Sequence, residues 1–187
     1  MSLIAHYKLD GNALDSVGNN HGTASNVTWV DGKLGQAGEF NGTNTTVRLG
    51  SGNDIFPLPN FSVSCWFKSY GTTANTGTSP AILGLTYGVR LFVYDSKIYF
   101  GLDDGSTFVG LTSPSTYNFY TDSNWHHVVV STTGDAMFIF IDGEQVASRA
   151  VSWKGVTRWM TNSAVIGRDN NNSMYYFTGL IDDVRIY

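Results

Sequence analysis

The sequence predicts an all-β fold, a two-sheet antiparallel β-sandwich of the jelly-roll kind, on three observations. Alternation of apolar and polar residues with a period of two recurs roughly every ten residues, between clusters of Gly, Asn, Asp and Ser. No window of about twelve or more residues carries helical periodicity, so no helix is expected. At 187 residues the chain is the size of one all-β domain, and residues 1–187 are read as a single unit belonging to a larger protein. That length buries about two-thirds of the unfolded surface, so neither disulfide nor metal is needed as a staple.

The elements follow in chain order. A first strand is expected at Ala5-His6-Tyr7-Lys8-Leu9, leading into a polar loop with Asp10, Asp15, Asn19 and Asn20. Phe61, Val63, Cys65 and Phe67 share one face of a central strand, which makes the lone Cys65 a buried, inert thiol. Val89, Leu91 and Val93 alternate with Arg90, Phe92 and Tyr94; beyond a turn at Asp95-Ser96, Ile98, Phe100 and Leu102 alternate with Lys97, Tyr99 and Gly101. Loops are expected over Gly71–Ser79, Leu111–Asn124 and Asp169–Ser173. A strand entered through Trp125-His126-His127 turns at Gly134-Asp135 into Met137–Ile141. Asp142-Gly143 is a strong two-residue hairpin signal, because both central positions of a type I′ turn need positive φ. The last strand is Gly179-Leu180-Ile181-Asp182-Asp183-Val184-Arg185-Ile186-Tyr187.

The combination of the Ala5–Ser16 opening, Phe61–Lys68, Trp125-His126-His127, the Asp142-Gly143 hairpin and the Gly-Leu-Ile-Asp-Asp-Val-Arg-Ile-Tyr ending resembles the laminin-G-like branch of the concanavalin A-like lectin/glucanase jelly rolls. These segments frame nearly the whole chain in the family's order. The resemblance implies the sandwich, with first and last strands side by side. It implies structural roles for Trp66 and Trp125, and an extracellular or virion-surface setting. It does not choose among enzyme, lectin and adhesion module.

Composition excludes several classes. Net charge is −4 with no run of like charges, which argues against nucleic acid. No stretch of about 18 apolar residues exists, so no membrane insertion is expected. Catalysis by glycosidic cleavage needs two carboxylates about 5.5 Å apart for retention or about 6.5–9.5 Å for inversion. The chain holds only two Glu, Glu39 and Glu144, and lacks the Glu-x-Asp-x-x-Glu signature of the glucanase relatives. Asp103-Asp104 and Asp182-Asp183 are neighbours that point to opposite faces of a strand, as do His126 and His127. No Gly-x-Ser-x-Gly nucleophile elbow is present. The expectation is a protein that is not an enzyme; a glycan-cleaving activity would require carboxylates assembled from distant loops.

Calcium is the sharper chemical expectation. It takes roughly six to eight oxygens from carboxylates, carbonyls and water. The resemblance implies one structural calcium held by Asp10, Asp15 and Asp182, with Asn20 or nearby carbonyls completing the shell. The competing reading of Asp10 and Asp15 is turn and cap chemistry. Zinc is excluded, since one Cys and four scattered His make no zinc-spaced cluster.

Sugar recognition needs aromatic rings for apolar sugar faces and polar groups for hydroxyls. Aromatics make up 14% of the chain. If Leu91, Val93, Ile98 and Phe100 face the core, then Arg90, Phe92, Tyr94 and Tyr99 share an outer face; the alternative is that loops cover it. A second candidate lies in loops, at Trp153, Arg158 and Trp159 and the stretch Arg168-Asp169-Asn170-Asn171-Asn172 before Tyr175-Tyr176. The five Asn-x-Ser/Thr sequons at Asn26, Asn41, Asn44, Asn60 and Asn171 follow from an Asn- and Thr-rich composition. The sequence therefore predicts a lectin-like, carbohydrate-binding module with one structural calcium, its ligand residues Arg90, Tyr94, Tyr99, Trp153, Trp159 and Arg168. Its partners would be a glycan or cell-surface polysaccharide and other domains of a larger chain. The alternative is a protein–protein adhesion or assembly module using the same aromatics.

Overall fold

A computed structural model describes residues 2–71, 80–85, 88–103, 107–152, 162–169 and 175–187. The strands are β1 (Ala5–Tyr7), β2 (Thr23–Ser25), β3 (Thr28–Asp31), β4 (Gln36–Asn41), β5 (Thr46–Ser51), β6 (Asn60–Ser69), β7 (Ala81–Gly84) and β8 (Val89–Tyr94). They continue as β9 (Lys97–Asp103), β10 (Phe108–Thr112), β11 (His126–Thr133), β12 (Ala136–Ile141), β13 (Glu144–Ala150), β14 (Ser163–Ile166) and β15 (Thr178–Ile186). One sheet runs β13-β12-β11-β6-β15-β4-β3, with β1 also on β15; the other runs β10-β9-β8-β7-β14-β5-β2. All described pairings are antiparallel. The expected two-sheet sandwich is what the chain forms.

Alternation decides which face is buried. Phe61, Val63, Cys65 and Phe67 on β6 lie at 0% exposure, beside Val128 and Val130 on β11 and Ile139 and Ile141 on β12. They meet Leu91 and Phe100 of the opposite sheet, where Phe61 and Phe100 make an edge-to-face contact at 6.2 Å between centroids. Burial pushes the Cys65 thiol far up, which keeps it protonated and inert. The first and last strands do pair, Ala5 opposite Ile186 and Tyr7 opposite Val184. Asp142 and Gly143 turn with φ of 52° and 89°, as their hairpin requires. Asp95 and Ser96 adopt φ of 48° and 56° in the β8–β9 turn without a glycine.

Three departures matter. A single helical turn, α1 (Gly52–Ile55), interrupts the all-strand pattern; the Ser51 hydroxyl accepts from the Asn53 N–H at its start. One turn is too short to leave periodicity in a sequence. The loop expected from Leu111 starts later, because Leu111 and Thr112 still pair in β10. Finally, the register of β15 shifts between Asp182 and Arg185, and Asp183 takes φ of 51°. This bulge re-aims the two adjacent carboxylates. Residues 72–79, in the first of the expected loops, lie outside the described residues.

Candidate functional site

The hairpin β8–β9 and its neighbour β10 send Val89, Leu91, Val93, Ile98, Phe100 and Leu102 inward at 0% exposure. Their partners therefore face out together. Phe92 lies opposite Tyr99, Arg90 opposite Gly101, Gly101 opposite Gly110 and Asp103 opposite Phe108. The rings of Phe92 and Tyr99 are 6.1 Å apart at 25°, and those of Tyr99 and Phe108 are 6.1 Å apart at 17°. Near-parallel rings at that separation are not face to face; they lie side by side. Gly101 and Gly110 make this possible. A Cβ on Gly110 would overlap the Tyr99 hydroxyl, and one on Gly101 would sit 3.0 Å from both the Tyr99 and Phe108 rings. Without those Cβ atoms the rings lie flat on the sheet, one face down and one turned outward.

The result is a groove of about 280 Å³ lined by Arg90, Phe92, Tyr94, Tyr99, Phe108, Asp169 and Tyr175. Tyr175 packs 6.2 Å from the Phe92 ring, and Phe92 is the buried floor. Tyr94 and Phe108 in the lining are 51% and 47% exposed. Arg90 reaches Asp103 at 3.7 Å and lies 5.4 Å from the Phe108 centroid, a cation–π geometry. Its buried Nε has no acceptor among the described residues. Burial pushes the Tyr99 phenol up, against the opposing pull of Arg90 and Arg149, so it enters any contact as a neutral hydroxyl. Arg149 crosses from the edge of the other sheet and donates to the Gly110 carbonyl at 2.8 Å.

Of the expected ligand residues, Arg90, Tyr94 and Tyr99 come together here. Arg168 is not in the groove lining; it donates to the Tyr176 hydroxyl at 3.3 Å and stacks 5.6 Å over that ring. Trp153, Arg158, Trp159 and Asn170–Asn172 lie outside the described residues. Phe108 is an addition that sequence reasoning missed, and Asp169 and Tyr175, expected in the separate loop candidate, line this face instead. The sequence signal for Phe108 was the pair Gly101 and Gly110, bare positions flanking one aromatic on each strand.

The four expected calcium ligands do not share one shell. The Asp15 carboxylate accepts from the backbone N–H of His6 at 3.0 Å, Val17 at 3.0 Å and Asn20 at 3.2 Å. Burial alone would raise its pKa, but these donors and the Gly18 N–H outweigh burial and lower it. N–H donors occupy lone pairs that a cation would otherwise take, so Asp15 serves as an anchor for its own loop. Asn20 joins it there, its carbonyl accepting from the Tyr7 hydroxyl at 2.7 Å. Asp182 and Asp10 instead flank the turn between β3 and β4. Asp182 Oδ2 accepts from Lys33 and Leu34 N–H, both at 2.8 Å, and Asp10 Oδ1 accepts from Gln36 N–H at 2.7 Å. Asp182 is fully buried, and its Oδ1 has no partner among the described residues. Burial, joined by the charges of Asp183 and Asp10, pushes its carboxyl up to about 6 despite those two N–H donors. An orphaned, buried oxygen beside a second carboxylate suits a cation. Among the described residues, no three His, Cys, Asp or Glu side chains cluster as a metal centre. Asp183, re-aimed by the bulge, contacts His6 Nε2 at 2.6 Å and Arg185 at 3.0 Å.

The histidine pair diverges as expected. His126 sits between Asp122 at 2.6 Å and Asp142 at 2.7 Å, edge-on to Phe119 at 4.9 Å. His127 turns away and stacks 5.0 Å from Trp66. Glu39 on β4 and Glu144 on β13 are separated by five strand spacings of one sheet, about 24 Å. That is well beyond the reach of a glycosidase pair.

Residues 41–187 match the family model described as the concanavalin A-like lectin/glucanases superfamily, of laminin G type. The chain belongs to this superfamily. A curated superfamily relative by sequence is adhesion G-protein coupled receptor V1 of Danio rerio, 29% identical over 139 residues that cover 70% of this chain and 2% of that protein. Among solved structures, domain 4 of AbnA, a GH43 extracellular arabinanase from Geobacillus stearothermophilus in complex with arabinotriose, superposes with a TM-score of 0.76. It is 22% identical, over 100% of this chain and 92% of that one. The binding domain of Paraclostridial Mosquitocidal Protein 1 superposes with a TM-score of 0.80 at 14% identity, over 99% of this chain and 48% of that one. The receptor binding domain of botulinum neurotoxin mosaic serotype C/D gives 0.77 at 19% identity, over 100% of this chain and 47% of that one. At these identities the structures establish the β-sandwich fold and no more.

Proposed function

We propose that this chain is a non-catalytic carbohydrate-binding module of an extracellular or virion protein. The observation that carries the reading is the paved face on β8–β10: near-parallel rings of Tyr99 and Phe108 beside the guanidinium of Arg90, all lining one groove. Rings supply apolar contact for one sugar face, and the guanidinium supplies a donor for a hydroxyl, the usual division of labour in a ligand groove. The lack of catalysis is supported by the distance between Glu39 and Glu144. The arabinotriose complex of the arabinanase domain, a structural neighbour, is consistent with sugar binding on this scaffold. A glycan-array screen of the domain and its Tyr99→Ala variant tests it. Selective binding lost in the variant supports the reading; silence across the array from folded protein overturns it. The second reading, a protein–protein adhesion module, is favoured by the similarity to an adhesion receptor and would then take its place.

One structural calcium completes the proposal, held by Asp182 Oδ1 with Asp10 and carbonyls of the β3–β4 turn. Chelation with EDTA is then expected to lower the melting temperature and calcium to restore it. An unchanged melting curve, with no metal by elemental analysis, would end the calcium reading while leaving sugar binding intact.

A further inference from the structure

We infer that the groove takes an internal stretch of an extended, uncharged oligosaccharide, about three units laid across β8, β9 and β10, and not a single terminal sugar. This deepens the carbohydrate-binding reading above and rests on it. A terminal-sugar site is a pit that encloses one ring. Here the rings form a row: the buried Phe92 as floor, then Tyr99 and Phe108, follow one another at 6.1 Å steps with planes within 25°. The row crosses three strands; Phe108 ends it at 47% exposure, and Tyr94, 51% exposed, lines the groove on the β8 side. A chain can therefore enter and leave without meeting a wall of described residues. Gly101 and Gly110 set the flatness, since a side chain at either position would tip the rings off the sheet.

The charge of the lining selects against acidic sugars. Arg90 already faces Asp103 at 3.7 Å, and among the described residues the other acidic or basic side chain lining the groove is Asp169. Among the described lining residues, a uronate or sialate carboxylate would find no cation but Arg90, which Asp103 already faces. Arg149 lies beyond Tyr99, tied to the Gly110 carbonyl. The Arg90 side chain, 19% exposed, still lines the groove, and its guanidinium can donate to a hydroxyl or ring oxygen.

Titration calorimetry of the intact chain tests this with xylo-, gluco- and arabino-oligosaccharides of one to five units, and with oligogalacturonates. In the neutral series that binds, affinity is expected to rise about three- to tenfold per added unit up to the third and then level off. Phe108→Ala, at an exposed end of the row, is expected to move the plateau down to two units while the protein melts as before. A monosaccharide binding as tightly as the trimer, an unmoved plateau in Phe108→Ala, or tighter binding of oligogalacturonates would overturn the inference and leave the carbohydrate reading standing. Absence of any glycan binding, on these series and on the array, would overturn both.

Discussion

The aromatic face on β8–β10 and the carboxylate corner between β1, the β3–β4 turn and β15 start from equally suggestive residues. They end differently. In the corner, the chain's own backbone answers most of the polar groups: Asp15 collects N–H donors from His6, Val17, Gly18 and Asn20, and one oxygen of Asp182 takes two more. On the aromatic face, the Tyr99 and Phe108 rings pack over two glycines, and Tyr94 and Phe108 stay about half exposed. A ligand site is marked by what the fold leaves unanswered more than by which residues it gathers. By that standard the corner offers one atom, Asp182 Oδ1, and the aromatic face a whole surface.

The contrast can be broken at several points. Asp15→Ala should have the largest effect, because it strands several N–H groups; a loss of about 3–5 kcal/mol in denaturant melts is expected. A small loss would mean that the corner is not self-satisfied. Asp182→Asn in EDTA should act in the opposite direction. The folded-state carboxyl is raised to about 6, so wild-type stability is favoured below the unfolded value and falls as pH rises through about 6. The variant lacks that ionisation cost and should gain up to about 3 kcal/mol at pH 8 in chemical melts, with the dependence near pH 6 abolished. If the wild type shows no such dependence in EDTA, Asp182 is not the strained member of the corner.

On the other side, Tyr99→Ala should weaken sugar binding at least tenfold, about 1.4 kcal/mol, while the melting temperature moves little. An unchanged affinity would remove the ring row from the site. The smallest expected effect concerns His126. Burial alone would lower its pKa, but Asp142 and Asp122 outweigh burial and raise it. Its stabilisation is therefore complete below the unfolded value of about 6.5 and lost as pH rises through the higher folded value. Stability should fall as pH rises above about 6.5, and His126→Gln should flatten that slope. An identical slope in the variant would assign it elsewhere.

How far each region could be read in advance follows from its geometry. Arg90, Tyr94 and Tyr99 were legible because one hairpin with strict alternation places them on a shared face. Phe108 joins them through β10, after a connection whose register the sequence does not state, and Asp169 and Tyr175 arrive from the far side of β14. The calcium expectation grouped Asp10, Asp15, Asn20 and Asp182 by residue type and chain position. It had no means of seeing where backbone N–H groups would point, so it joined Asp15 and Asn20 to a shell that Asp10 and Asp182 alone could share.

The sequence by itself determined the sandwich, the buried face of each central strand, the Asp142-Gly143 hairpin and the outward Arg90, Tyr94 and Tyr99. Each depends on a two-residue period or on a turn's need for positive φ, which are local properties of the chain. Only the tertiary structure decided that Asp182 meets Lys33, 149 residues away, and that the β15 bulge sends Asp183 to His6. It also decided that two glycines on paired strands let Tyr99 and Phe108 lie flat. Those outcomes are set by contacts between segments far apart in the chain, where hydrogen-bond direction and ring clearance depend on the packed backbone and leave no period to read.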